Sequence, residues 1–148
     1  MHSLPGTYAL VLTPTDELPV KIGKFGLLQL RSGFYIYVGS AFGPGGLEAR
    51  VAHHQKISKR PRWHIDYLRT VTRIEELWYT HDPVPREHQW AELLDNFKAR
   101  TVPFPGFGSS DCNCKSHLFF FTSPPSVKSF RLRLYESFHD HAEVFIQK

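Results

Sequence analysis

Phe25-Gly26-Leu27-Leu28-Gln29-Leu30-Arg31-Ser32-Gly33-Phe34-Tyr35-Ile36-Tyr37-Val38 is the stretch on which the fold turns. Two β-rich runs, Phe25 to Leu30 and Phe34 to Val38, flank a short break ending in glycine, the pattern of a β-hairpin. In the second run Phe34, Ile36 and Val38 alternate with Tyr35 and Tyr37, so a strand there turns both tyrosines to one face. Upstream, Gly6 to Thr13 is a first strand closed by Pro14, and Thr15 to Pro19 is a turn. Downstream, Gly43-Pro44-Gly45-Gly46 breaks the chain and Leu47 to Gln55 follows as a helix. Trp63 to Thr70 fits a short helix or a strand, and Glu75 to Tyr79 fits a strand. Asp82-Pro83-Val84-Pro85 then opens a helix over about Arg86 to Lys98, since proline is tolerated in a first turn. Thr101 to Ser110 is a loop, His117 to Thr122 a strand and Val127 to Phe138 a helix. This order predicts an α/β sandwich around an antiparallel sheet.

Composition bounds the function. The chain has 148 residues, 41% hydrophobic, 14% aromatic and 22% charged, which fits one domain and excludes a wholly disordered chain. No run approaches ~18 consecutive apolar residues, so no transmembrane helix is expected. The start, Met1-His2-Ser3-Leu4-Pro5-Gly6, lacks the basic and apolar regions of a secretion signal. Net charge is +4 and the isoelectric point near 9.2, compatible with a nucleic-acid partner and equally with an ordinary basic enzyme. The charge is uneven. His53, His54, Lys56, Lys59, Arg60, Arg62 and His64 crowd one acid-free stretch, either a solvated helix end or a polyanion site. The two cysteines, Cys112 and Cys114, are one residue apart, an awkward geometry for a disulfide. A reducing, cytoplasmic setting is expected.

Two helices carry polar residues on an apolar face. In the first, Leu47, Val51 and His54 share a stripe with Arg50 beside them, either snorkelling at its edge or held there for chemistry. In the second, Glu87 heads the stripe of Trp90, Ala91 and Leu94, while Glu92 falls on the opposite face. A first-turn carboxylate gains ~0.3–1 kcal/mol from the helix dipole. Burying it unpaired costs several kcal/mol. Glu87 is therefore either exposed or held by a cation, and an oxygen-loving Mg²⁺-like ion needs only one such carboxylate.

Gly6-Thr7-Tyr8, then Tyr37-Val38-Gly39-Ser40-Ala41, then Arg50 and His54 on one helix and a glutamate on a later one: this ordered set resembles the GIY-YIG nuclease superfamily. Arg62-Trp63-His64-Ile65-Asp66-Tyr67-Leu68 and the segment from Gly106 to Phe119 resemble its Uri-type branch, which occurs alone or fused to DNA-repair proteins. Thr7 and Val38 replace the isoleucines of the name, and the long interval from Tyr8 to Tyr37 implies an inserted hairpin arm at about Val20 to Leu30. The resemblance implies a single domain over residues 1–148, with 101–148 a branch-specific C-terminal extension. It implies a central antiparallel sheet flanked by helices and a metal-dependent endonuclease acting on DNA. Tyr8 would then act as general base or orient the attacking water, and Tyr37 would position water or a phosphate oxygen. Arg50 would neutralise transition-state charge, with His54 close by, and Glu87 would hold one Mg²⁺ or Mn²⁺. Gly39, Ser40, Lys56, Arg62, His64, Asp111 and His117 would contact substrate. A phenol of pKa ~10 is a poor base until a cation lowers it, so Tyr8 should depend on the metal or on Arg50.

Cys112, Cys114 and His117 have the ligand types of zinc. The C-x-C spacing is tight, and a fourth ligand would have to come from His64 or His141, so zinc is not expected and the segment reads as a loop beside the site. Two other functions stay open: a nuclease-like module that binds DNA or a repair partner without cutting, and a zinc-stabilised interaction protein.

Overall fold

The computed structural model describes residues 1–57, 60–108, 116–124 and 126–148. In chain order the elements are β1 (Gly6–Pro14), β2 (Pro19–Lys21), β3 (Leu27–Gln29), β4 (Phe34–Ala41), α1 (Gly46–Gln55), α2 (His64–Arg69), β5 (Thr72–Thr80), α3 (Glu87–Asp95), β6 (Leu118–Phe121), α4 (Val127–Ser137) and β7 (Phe145–Gln147). β1 is buried from Gly6 to Leu12 without alternation, as a strand covered on both faces must be. It sits at the centre of a five-stranded sheet in the order β6-β4-β1-β5-β7, with every pairing antiparallel.

Helices cover both faces. On one, Tyr8, Leu10 and Leu12 of β1 pack with Leu47 and Val51 of α1 and with Ile65 and Leu68 of α2. On the other, Ala9 and Val11 pack with Trp90, Ala91 and Leu94 of α3 and with Phe130 and Leu134 of α4. The protein is thus a mixed α/β sandwich with an antiparallel sheet. Tyr35 and Tyr37 both face the α1 side, as their alternation in sequence requires. Residues 101–148, read from sequence as an extension, supply β6 and β7 to the two edges of the sheet and α4 to its core.

One expectation is corrected. Phe25 to Leu30 does not form a hairpin with Phe34 to Val38. β3 pairs with β2, Val20 opposite Leu28, in a separate two-stranded arm, while β4 pairs with β1 and β6. The turn at Arg31-Ser32-Gly33 is local, but both edges of β4 are taken by longer or more apolar partners. The inserted arm expected near Val20 to Leu30 is therefore β2–β3. The helix expected from Arg86 to Lys98 is shorter, ending at Asp95 with Asn96 as its C-cap. Trp63 to Thr70 resolves as helix α2. Among the described residues, no helix is long and apolar enough to cross a membrane.

Candidate active site

The cleft lies where β4 outruns its edge partner. β6 begins opposite Tyr37, so Gly39 to Ala41 continue past the last rung of that ladder. The freed Ser40 carbonyl accepts a hydrogen bond from Nη1 of Arg50 at 3.0 Å. Around it Tyr37, Ser40, Arg50, Arg62, Trp63, His64, Glu87 and Gly108 line a polar cleft of about 530 Å³. Three of these side chains carry charge, two arginines and one glutamate. That balance suits an anion approached by a cation.

Arg50 is held on two sides. Its head bonds Ser40, and its guanidinium lies 4.6 Å from the Trp63 ring centroid in a cation–π arrangement. Trp63 is placed by Asp66, whose buried carboxylate accepts from the backbone N–H groups of Arg62 and Trp63 at 2.9 and 3.1 Å and pairs with His53 at 2.8 Å. Burial pushes Asp66 upward, but those two N–H groups and His53 outweigh it and hold its pKa below the usual value. His64 stacks on Phe25 of the inserted arm, and its Nδ1 accepts from the Gly108 N–H at 3.0 Å. Its ring proton is therefore on Nε2.

Behind this wall lies a buried pair. Tyr8 and His54 are 0% and 1% exposed, with the Tyr8 hydroxyl 2.6 Å from His54 Nε2. Burial, then Tyr37, drives the Tyr8 pKa well up; Arg50 opposes this through its charge and a hydrogen bond. Burial also lowers His54 to about 3, so the imidazole is neutral. Among the described residues its Nδ1 has no hydrogen-bond partner. The neutral imidazole and the buried phenol share this one short hydrogen bond. The Arg50 charge thus works against the rise in the Tyr8 pKa, the direction expected for a dependence of Tyr8 on Arg50. Tyr37 reaches the cleft itself, its phenol raised chiefly by burial and next by Glu87.

Glu87 opens α3, which β1 fixes in place. The Thr7 hydroxyl, buried, accepts from the Arg86 N–H at 3.1 Å. Arg86 is itself locked by Asp82 at 3.0 Å. His117 Nδ1 lies 3.4 Å from Glu87, and burial lowers His117 to about 4.

Of the residues expected from sequence, Tyr37, Arg50, Glu87, Ser40, Arg62 and His64 meet in the cleft, His117 stands beside Glu87, and Tyr8 and His54 form the layer behind. Gly39 sits opposite Tyr8 in the β1–β4 register, where a Cβ would come 2.3 Å from the Tyr8 hydroxyl; its role is to make room. Lys56 caps α1, exposed, and is not part of the cleft wall. Asp111, Cys112 and Cys114 lie outside the described residues. Sequence reasoning missed Trp63 as the platform for Arg50 and left Asp66 without a role. An acidic residue three positions after a helix N-cap was the available signal for Asp66. It also missed His88, which follows Glu87 on α3.

Fold and site together define a mixed α/β protein with a polar cleft built on a strand tyrosine, a stacked arginine and a helix-borne glutamate. The chain belongs to the family described as domain of unknown function DUF123, whose model matches residues 7–140. No curated protein and no solved structure matches it.

Proposed function

We propose that this protein is a member of the GIY-YIG nuclease superfamily and a metal-dependent endonuclease that hydrolyses DNA phosphodiester bonds in this cleft, in DNA repair or processing. One observation carries the reading: Tyr37, Arg50 and Glu87, far apart in sequence, line one cleft with the Tyr8–His54 pair directly behind it. The donor set fits a divalent cation, because Glu87 offers a carboxylate at the cleft with two imidazoles within reach. Such an ion, Mg²⁺ or Mn²⁺, supplies positive charge against the charge that grows on the phosphate during hydrolysis.

The chain's own residues do the rest. Arg50, pre-aligned by Ser40 and Trp63, offers its remaining N–H groups to non-bridging phosphate oxygens at no cost of reordering. The Tyr37 hydroxyl accepts a hydrogen bond from the attacking water and orients it. Tyr8, fully buried and off the cleft surface, acts as a positioning residue that holds Arg50 from behind, with His54 fixing its hydroxyl. Arg62 and His64 give a second cation and a neutral N–H donor for flanking phosphates.

The experiment is nicking of labelled single- and double-stranded DNA with Mg²⁺ or Mn²⁺. Arg50→Ala and Glu87→Gln should each lower the rate ~100-fold or more, and Tyr37→Phe ~10-fold or more, with the variants still folded. Equal cutting by all three variants ends the proposal. The full burial of Tyr8 favours a second reading, a module that binds DNA without cutting it. Salt-sensitive binding with no metal-dependent turnover selects that reading.

A further inference from the structure

Glu87 does not stand alone at its end of the cleft. His117, which leads into β6, places Nδ1 at 3.4 Å from Glu87 Oε1, and His88, the next residue of α3, places Nε2 at 4.0 Å from the same oxygen. One ligand atom from each of the three lies within 4.8 Å of the others. The two imidazoles arrive from different directions and differ in freedom. His117 is 2% exposed and tied to β4 by its main-chain carbonyl, which accepts from the Val38 N–H, whereas His88 has a side chain 60% exposed.

We propose that Glu87, His88 and His117 form a three-ligand site for a first-row transition-metal ion, Mn²⁺ through Zn²⁺, which they bind in preference to Mg²⁺. The proposal deepens the preceding one, taking its cation and assigning two further ligands and a preference. It rests on that reading only for what the ion does to DNA.

Ligand chemistry decides the preference. Mg²⁺ is hard, dehydrates reluctantly and takes oxygen, so two imidazoles beside its carboxylate add little. Imidazole nitrogen is a strong ligand for zinc, cobalt and the metals near them, with affinity rising along that row. Two nitrogens and one carboxylate oxygen form a common three-protein-ligand set for a catalytic transition metal, with positions left open for water or a phosphate oxygen. The spacing fits. An ion with bonds of ~2.0–2.2 Å holds its ligand atoms roughly 3 to 4 Å apart, and the exposed His88 closes any remaining gap by a change of rotamer. The His117 main-chain carbonyl accepts from the Val38 N–H at 2.9 Å, between Tyr37 and Gly39, so one strand positions both the cleft tyrosine and a ligand.

A bare ion pair is the plainer use of these residues. It requires only one imidazole beside the carboxylate, and nothing in it calls for the second, solvent-side histidine to follow Glu87 directly on the first turn of the helix.

The test uses the full chain without DNA, titrated with Co²⁺, Zn²⁺, Mn²⁺ and Mg²⁺ by calorimetry and by Co²⁺ absorption. The expected result is one Co²⁺ per chain with weak visible bands and no sulfur-to-cobalt charge-transfer band. Zn²⁺ displaces it, and Mg²⁺ binds at least ~100-fold more weakly. His88→Gln, a surface change that leaves the fold intact, should weaken Co²⁺ and Zn²⁺ ~10-fold or more, and Glu87→Gln should do the same. Affinity for Co²⁺ within about twofold of wild type in His88→Gln, Mg²⁺ competing on equal terms, or a sulfur charge-transfer band would each overturn the proposal. The two readings fail separately. Metal binding of the expected kind without DNA cleavage removes the nuclease and keeps the site, while cleavage with Mg²⁺ and no Co²⁺ or Zn²⁺ bound does the reverse.

Discussion

Gly39 and Tyr8 face each other across two neighbouring strands, and the pair is packed to the limit of contact. A Cβ at Gly39 would fall 2.3 Å from both the hydroxyl and Cζ of Tyr8, and the phenol, fully buried and bonded to His54, has nowhere to move. Gly39→Ala should therefore cost about 1–3 kcal/mol, the usual range for overpacking a filled core. Urea unfolding checks this: the midpoint should fall with the slope unchanged, and a midpoint equal to wild type would show that the phenol has room. At this scale the sequence is partly legible. His54 on an apolar stripe and Glu87 at the head of another follow from helical phase alone. That Gly39 is there for space rather than for substrate does not, because the register that sets Tyr8 opposite it joins segments some thirty residues apart.

Between elements, β1 does more than fill the middle of the sheet. Its Thr7, in a position where isoleucine would serve equally as a strand former, accepts the Arg86 N–H and so sets where α3 begins and where Glu87 points. Thr7→Val keeps the shape and removes the acceptor, leaving a buried N–H unpaired at about 1–3 kcal/mol. The variant should lose that much stability and weaken the metal binding proposed at Glu87. Thr7→Ser should restore both, and equal metal affinity in Thr7→Val and wild type would remove the positioning role. Element types were largely readable from the chain: β1, α1, β5, α4 and the tyrosine strand follow from apolar runs, breakers and phase. Partnership was not. The short turn at Arg31-Ser32-Gly33 suggested that β4 pairs with the run before it, yet β1 and β6 hold both its edges and β3 turns back on β2. A hairpin signal measures local geometry and carries no information about stronger, distant claimants to the same edge.

Taken whole, the molecule buries neutral imidazoles, and this gives its stability a predictable pH dependence. His54 titrates at about 3 in the folded protein. An unfolded histidine titrates near ~6.5. Between those values the unfolded chain holds a proton that the folded chain does not, so stability is full above the unfolded pKa and is lost as pH falls below it. From pH 7 to pH 5, His54 alone should remove about 2 kcal/mol. His117, lowered to about 4, acts with the same sign. Urea midpoints at the two pH values test this, and His54→Gln should flatten the difference. No change in wild type between pH 7 and pH 5 would contradict the burial of a neutral His54.

The sequence by itself determined the period of each element, which residues share a face and the α/β class, all from geometry within a few residues of each position. Most of the side chains that line the cleft were pointed to by its resemblance to a known family, carried by an ordered set of motifs. The tertiary structure decided which strands are neighbours, that β4 runs past β6 to open a cleft, that Tyr8 lies behind the wall rather than in it, and that His88 and His117 gather at Glu87. Those outcomes depend on how distant segments compete to bury both faces of one sheet, a balance struck over the whole chain and written in no single stretch of it.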